Sequence, residues 1–209
     1  MERKDNYRIQ FEQAKQTFLG YDQEKLIEKL KLQSDETYLY PKLLGSVYRI
    51  HRTTADFQRQ IGENWVDANS HSEVMTLLDL ICDSREDRWL SFRWRDMVSF
   101  GQMFHRQLQE QDPWAVRFEG DPEGLRRACI VLGGVPFGKG DVAYAIEVFD
   151  GLQLVLQLWL GDEEFPPRLR LMWDENALMY LKYETMYFAK NLLLMRIEEI
   201  MQEERQSGI

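Results

Sequence analysis

The stretch that decides the fold is DVAYAIEVFDGLQLVLQLWL, which runs from Asp141 to Leu160. Apolar side chains alternate at period two on both sides of Asp150-Gly151, a dipeptide that is typical of a tight hairpin turn. The second half places leucines at positions 152, 154, 156, 158 and 160, which lie on one face of a strand. We therefore predict two antiparallel strands, 142–149 and 152–160, and expect helices to cover the leucine face.

The same alternation continues further along the chain and also precedes this stretch. RLRLMW predicts a third strand, 168–173, which completes an antiparallel three-stranded meander. Near the N-terminus, GSVYRIHR and ADFQRQIGENW alternate in the same way and predict a small hairpin near residues 45–61. RWLSFRWRDM is compatible with one further short strand.

Apolar residues at helical spacing fall before, between and after these strands. They predict helices near 3–19, 22–33 and 71–83, within 97–111, from Asp121 to Gly133, and over 177–204. Ser70 followed by Glu73 has the form of a capping box at the start of the third of these helices. Asp174 or Asn176 is expected to cap the long C-terminal helix.

These elements place the chain in the α+β class. We expect an antiparallel β-sheet, made of the C-terminal meander and the N-terminal hairpin, that is covered by several helices including the long C-terminal one. Nothing in the sequence resembles a Gly/Ser-rich linker, so residues 1–209 are predicted to form a single domain, with residues 1–35 as an N-terminal helical segment.

Charge and composition exclude several classes of function. The chain has 209 residues, is 44% hydrophobic and carries a formal net charge of −9. An acidic chain is a poor general binder of nucleic acid or of anionic lipid surfaces. No stretch approaches the ~20 apolar residues of a membrane span, and the N-terminus lacks the apolar region of a secretory signal. We therefore expect a cytoplasmic protein that binds neither nucleic acid nor membranes.

The segment GDEEFPP, Gly161 to Pro167, followed by WDEN and YLKYET, resembles the family named domain of unknown function 3786. The resemblance covers a core of residues 45–193 and includes SVYRI, WLSFR and GDVAYAIEVF. Members of this family occur mostly in anaerobic bacteria and archaea, and some are joined to a cysteine-rich segment that looks like an iron–sulfur module. This chain has no such segment. The resemblance implies a fold unit and an anaerobic setting, and it assigns no functional residue.

Three carboxylates, Asp162, Glu163 and Glu164, crowd the loop before the third strand. They are either the solvated tip of a turn shaped by glycine and proline, or a site for a hard cation or a substrate amine. The next carboxylates, Asp174 and Glu175, follow the predicted strand 168–173. A strand of this length separates the two groups by roughly 20 Å, so one metal ion cannot take ligands from both.

A second candidate site lies at the start of the long helix, where Tyr180, Tyr183 and Glu184 share a side. A carboxylate among phenols is either a general acid or base, or a member of a hydrogen-bonded network at the rim of a core. The histidines lack metal-ligand spacing, and His71, in the first turn of a helix, is expected to be exposed. Cys82 and Cys129 are expected to be buried thiols.

The sequence leaves two hypotheses of function open. We favour a non-enzymatic module of an anaerobic pathway that binds a protein partner or a small ligand, or forms a homodimer through its long helix. The alternative is an enzyme or metal-binding protein that uses the acidic loop Gly161–Pro167. Catalytic residues and cofactors are left unassigned, and no metal ligands are named.

Overall fold

The computed structural model describes residues 2–68, 70–100 and 112–207 of the chain. Its backbone forms two compact units, and each unit draws on two separate stretches of sequence. Unit 1 comprises Met1–Trp89 and Leu178–Ala189, and unit 2 comprises Leu90–Ala177 and Lys190–Ile209. Helices and antiparallel sheets together confirm the predicted α+β class. The expected single domain stays a prediction.

Unit 1 contains a six-stranded antiparallel sheet and three complete helices. The helices are α1 (Glu2–Leu19), α2 (Gln23–Leu30) and α3 (His71–Leu78), and the strands are β1 (Gln33–Ser34), β2 (Tyr38–Tyr40), β3 (Lys42–Leu43), β4 (Ser46–His51), β5 (Phe57–Ile61) and β6 (Asn64–Asp67). The strand order is β1-β2-β4-β5-β6, and β3 pairs with β4. The predicted hairpin near 45–61 is confirmed as β4 and β5. The added strands have only two to four residues, which is too short for alternation to reveal them.

Helix α3 continues directly into a π-helical turn, Asp79–Asp83, so the predicted helix over 71–83 is confirmed in extent. Its predicted capping box is wrong. Among the described residues around this helix start, Ser70 makes no side-chain capping bond, and Glu73 is buried and accepts a hydrogen bond from the Tyr48 hydroxyl at 2.8 Å. The glutamate is therefore turned towards the core of unit 1.

Unit 2 is built on the predicted meander. Its elements are β7 (Trp94–Asp96), α4 (Pro113–Glu119), α5 (Pro122–Val131), β8 (Val135–Pro136), β9 (Val142–Phe149), β10 (Leu152–Trp159) and β11 (Arg168–Asp174), and the strand order is β7-β11-β10-β9-β8. Asp150 and Gly151 both have positive φ, at 47° and 79°, as a two-residue hairpin turn requires. Of the helix predicted within 97–111, the structure describes a 3₁₀ turn at Met97–Ser99, and residues 101–111 lie outside the described residues.

Both faces of the central strand β10 are covered. The leucines at 152, 154, 156 and 158 are fully buried, whereas Leu160, just past the strand end, is 39% exposed. On the other face Val155 packs with Ala145 and Met172 beneath Trp94 and Phe137. Helix α5 packs against β9, and α4 packs against β10 and β11. Complete burial of one leucine side chain contributes about 2 kcal/mol, so this strand is the core of unit 2.

The last helix, α6 (Tyr183–Ser207), begins later than the predicted 177, after a 3₁₀ turn at Ala177–Met179. Asp174 does not cap it. Its fully buried carboxylate accepts hydrogen bonds from the backbone amide of Ser91 at 3.2 Å, the Ser91 hydroxyl at 3.0 Å and the Phe92 amide at 2.7 Å. The amide of Asn176 donates a fourth, at 2.8 Å. Partners distant in sequence therefore replace the expected cap.

Within unit 2, ion pairs hold α6 to the two shorter helices. Glu198 pairs with Arg117 of α4 at 2.6 Å, and Glu204 pairs with Arg127 of α5 at 2.9 Å. The predicted N-cap of α5 is confirmed, because Asp121 accepts the Gly124 amide at 2.8 Å. Within residues 2–68, 70–100 and 112–207, none of the helices combines the length and the apolar character needed to cross a bilayer.

Substitution of Asp174 by Asn tests the role of the buried carboxylate. We expect the free energy of unfolding to fall by about 2–4 kcal/mol, because an amide group cannot accept from all four donors and leaves buried N–H groups without partners. Asp162→Asn is the matched control, since Asp162 accepts two backbone amides in an exposed turn, and its loss should cost about 1 kcal/mol or less. Urea unfolding followed by tryptophan fluorescence measures both, and equal losses would contradict the assignment.

Candidate functional site

The acidic loop is a closed turn. One oxygen of Asp162 accepts the backbone amides of Glu164 and Phe165, both at 2.8 Å, and the Asp162 amide donates to the Phe165 carbonyl at 2.9 Å. Gly161 is held from outside the loop, since its amide donates to the Glu119 carboxylate at 2.7 Å. Glu163 and Glu164 are exposed. The first carboxylate of the predicted cation site is thus engaged in the turn itself.

Strand β11 separates this loop from the second acidic pair, as predicted. Asp174 is engaged by its four donors, and Glu175 pairs with Arg95 at 3.1 Å and with Arg93 at 3.5 Å. Across the described part of the chain, no group of three or more His, Cys, Asp or Glu side chains is arranged to hold a metal ion.

The predicted tyrosine site belongs to unit 1, whereas the acidic loop belongs to unit 2. Tyr180 is buried, with the guanidinium of Arg88 5.8 Å from its ring centre. The hydroxyls of Tyr183 and Tyr187 lie 3.0 Å apart, and Glu184 is exposed. Tyr183 is therefore engaged with another phenol. A ligand-binding role for these residues and for the acidic loop stays a prediction.

A cleft that the sequence did not indicate lies in unit 1, with a volume of about 440 Å³. We call it the Asp79 cleft. Its apolar wall is formed by Ala14, Phe18, Met75, Leu78 and Phe188. Asp79, Asp83 and Lys182 lie together at its polar end. A volume of 300–1,000 Å³ with apolar walls and a few converging polar groups is typical of small-ligand sites.

The polar end is a chain of short hydrogen bonds. The ammonium of Lys182 donates to Asp79 at 2.9 Å and to Asp83 at 2.5 Å. The backbone amide of Lys182 donates to the second oxygen of Asp79 at 2.7 Å, and the Tyr21 hydroxyl donates to the second oxygen of Asp83 at 2.7 Å. Every carboxylate oxygen in this network therefore accepts at least one hydrogen bond.

The π-helical turn positions both carboxylates. Asp79 begins this turn and Asp83 ends it, and turns of this kind are frequent at functional sites. Beyond Asp83 the chain leaves the helix, and the ammonium of Lys29 donates to the carbonyls of Cys82 at 3.1 Å and Ser84 at 3.0 Å. This basic side chain satisfies carbonyls that the helix end leaves without partners, and burial lowers its pKa.

The network shifts the pKa values of its members. Its hydrogen bond to Asp83 raises the pKa of Tyr21 to about 12, and hydrogen bonds to Asp83 and Asp79 raise the pKa of Lys182. Burial acts to raise the pKa of Asp83, but donation from Lys182 and Tyr21 outweighs burial and lowers that pKa. Burial raises the pKa of the Cys82 thiol to about 12. At neutral pH Asp83 is therefore a carboxylate, Lys182 an ammonium, Tyr21 a phenol and Cys82 a thiol.

His71 lies on the wall of the cleft and is partly buried, so the expectation that it is exposed was wrong. Its Nε2–H donates to Oε1 of Gln10 at 3.0 Å, and its ring meets Phe188 edge to face at 5.1 Å. Burial lowers the pKa of His71, which favours the neutral imidazole. Cys129 is buried as predicted, and Cys82 is partly exposed.

One sequence signal could have drawn attention to this cleft. In VMTLLDLICDS two aspartates stand four residues apart in an otherwise apolar helical run, where a carboxylate needs a partner. The partner, Lys182, follows Asp79 by 103 residues, and no local pattern connects them.

The sequence of the whole chain was compared with protein families, curated proteins and solved structures. A family model described as Domain of unknown function (DUF3786) matches residues 22–196. The match begins earlier than the predicted core at 45, and it includes α3, the π-helical turn and Lys182. Helix α1, which forms part of the cleft wall, precedes it. No curated protein and no solved structure matches the chain.

The raised pKa of Tyr21 predicts how the free energy of unfolding changes at alkaline pH. Because the pKa of Tyr21 is about 12 in the folded protein and about 10 in an unfolded chain, its bond to Asp83 stabilises fully below pH 10 and is lost as pH rises towards 12. The stability advantage over Tyr21→Phe, about 1 kcal/mol at neutral pH for a partly exposed hydrogen bond, should shrink across this range.

Unfolding in urea from about pH 8 to about pH 11.5 measures this difference. The control repeats the comparison in an Asp83→Asn background, where the effect of Tyr21→Phe should lose its pH dependence. An advantage that grows with pH, or a pH dependence that persists unchanged in the Asp83→Asn background, would contradict the assignment.

Proposed function

The chain belongs to the DUF3786 family, and we propose that it is a binding protein that holds a small, mainly apolar ligand in the Asp79 cleft. The observation that carries the proposal is the cleft itself. Its volume of about 440 Å³ and its wall of Ala14, Phe18, Met75, Leu78 and Phe188 suit a compact hydrocarbon or aromatic group. The polar end supplies orientation, because the side chains of Asp79, Asp83 and Lys182 converge there.

The protonation states in the cleft favour binding over chemistry. A nucleophilic cysteine or a catalytic lysine needs a lowered pKa, whereas Cys82 and Lys182 both have raised values. Tyr21 is likewise held in its protonated form. These groups are suited to accept or donate hydrogen bonds without giving up or taking a proton at neutral pH.

The anaerobic setting, the protein partner and the acidic loop are separate parts of the function expected from the sequence. The anaerobic setting is supported by the resemblance described above, and the protein partner or homodimer stays a prediction. The alternative use of the acidic loop has less support, since Asp162 is engaged in its own turn. We therefore place the ligand in unit 1.

Blocking the cleft tests the proposal. Benzyl alcohol, a neutral aromatic probe, should bind with a dissociation constant of about 1 mM, as expected for a ligand of this size. Ala14→Trp fills the cleft from α1 and Met75→Trp fills it from α3, and each should weaken binding at least about tenfold. Saturation-transfer NMR detects the bound probe, and calorimetry measures its affinity.

Gln16→Trp is the matched control, because Gln16 is an exposed neutral residue of α1 outside the cleft wall. It should change the affinity by less than about twofold, while all three variants keep the helical circular dichroism of the parent. Absence of probe binding, or equal weakening by Ala14→Trp and Gln16→Trp, would overturn the proposed function.

A further inference from the structure

The charged side chains of the Asp79 cleft lie together at its polar end. Among the described residues that line it, the titratable groups are Asp79, Asp83, Lys182, His71 and Cys82. Burial favours the neutral form of both the imidazole and the thiol. The polar end therefore combines the side chains of Asp79 and Asp83 with the ammonium of Lys182, and the ammonium of Lys29 lies nearby on the carbonyls of Cys82 and Ser84. A cation that takes the place of the Lys182 ammonium keeps the charge balance of this end, whereas an anion does not.

The carboxylates also keep capacity to accept more hydrogen bonds. A carboxylate oxygen has two lone pairs, and each of the four oxygens of Asp79 and Asp83 accepts from one of the donors described above. Tyr21 donates its only O–H to Asp83. The polar end therefore offers more acceptors than donors, which is the chemistry that recognises an ammonium group.

Lys182 and Asp79 differ in their freedom to move. The Lys182 side chain is 63% exposed, whereas that of Asp79 is 5% exposed and is fixed by the Lys182 backbone amide. The lysine ammonium can move into water on its flexible stem while the carboxylates stay in place. The position of the lysine ammonium, between two carboxylates and beside an apolar wall, then becomes available to another ammonium.

We infer that the ligand of the Asp79 cleft is an amphiphilic cation, a primary amine on a hydrocarbon or aromatic body. When the cleft is empty, the Lys182 ammonium occupies the position that the ammonium of the ligand takes on binding. This inference rests on the proposed function and adds the chemical class of the ligand. The amine donates to Asp79 and Asp83, and its body lies along Phe18, Met75 and Phe188. The edge-to-face pair of Phe188 and His71 adds aromatic surface to the wall of the cleft.

Three probes with one aromatic ring test the charge preference: benzylamine, benzyl alcohol and benzoate, compared by calorimetry at about pH 7, where the amine is protonated and the acid ionised. Benzylamine should bind the wild-type protein at least about tenfold tighter than benzoate, with the alcohol between them, since the amine can take the place of the Lys182 ammonium between Asp79 and Asp83, whereas benzoate brings only acceptors. This comparison needs no variant and so does not depend on the folding of one.

Two substitutions test the role of each charge. Asp83→Asn should weaken benzylamine about fivefold and leave benzyl alcohol within about twofold, because it removes one carboxylate and keeps the shape of the side chain. Lys182→Met should strengthen benzylamine about fivefold, because it removes the competing ammonium and keeps the backbone amide that fixes Asp79. Thermal unfolding checks that both variants remain folded.

The outcomes separate the inference from the proposed function. Benzoate binding as tightly as benzylamine, or weaker benzylamine binding in Lys182→Met, overturns the inferred ligand class. If benzyl alcohol still binds and Ala14→Trp still blocks it, the proposed function survives that result. If none of the three probes binds, both are overturned.

Discussion

Asp79 accepts one hydrogen bond from the backbone amide of Lys182 and another from its ammonium, and the architecture of unit 1 depends on this double contact. Unit 1 consists of two stretches of chain, and the pair joins them across 103 residues. A carboxylate that is 5% exposed requires such donors, because burial of an unpaired charge costs several kcal/mol. The same contact fixes the start of α6, places Lys182 beside Asp83 and so creates the polar end of the cleft.

In unit 2 a different buried aspartate likewise accepts hydrogen bonds from a segment that is distant in sequence. Asp174, fully buried at the end of β11, draws in the segment around Ser91 and Phe92 through backbone amides. Elsewhere Asp121 and Asp162 accept amides at a helix start and in a turn. Several of the aspartates that contribute to the net charge of −9 are therefore engaged with the chain itself, and a cluster of carboxylates in the sequence does not by itself indicate a metal or catalytic site.

The sequence predicted those elements of the fold that are determined by short-range patterns of apolar residues. Alternation from Asp141 to Trp173 gave β9, β10 and β11 almost to the residue, since each inward position had a partner within a short hairpin. Helix α4 was missed although Asp112-Pro113 carries the same start signal as Asp121-Pro122, with the Asp112 carboxylate accepting the Trp114 amide. Asp174 was expected to cap the last helix because it precedes that helix in sequence, whereas its partner Ser91 lies 83 residues away. The cleft was missed because Lys182 is remote in sequence from Asp79. Pairing over such distances leaves no periodic trace in one sequence.

Each unit consists of two separate stretches of sequence, and this arrangement delays the folding of both units during synthesis. Each unit includes part of α6, so neither can close before the ribosome has synthesised residues of that last helix. At typical translation rates the 103 residues between Asp79 and Lys182 take roughly 5–20 s to appear. During that interval Asp79 lacks the two Lys182 donors that bind its carboxylate in the native fold.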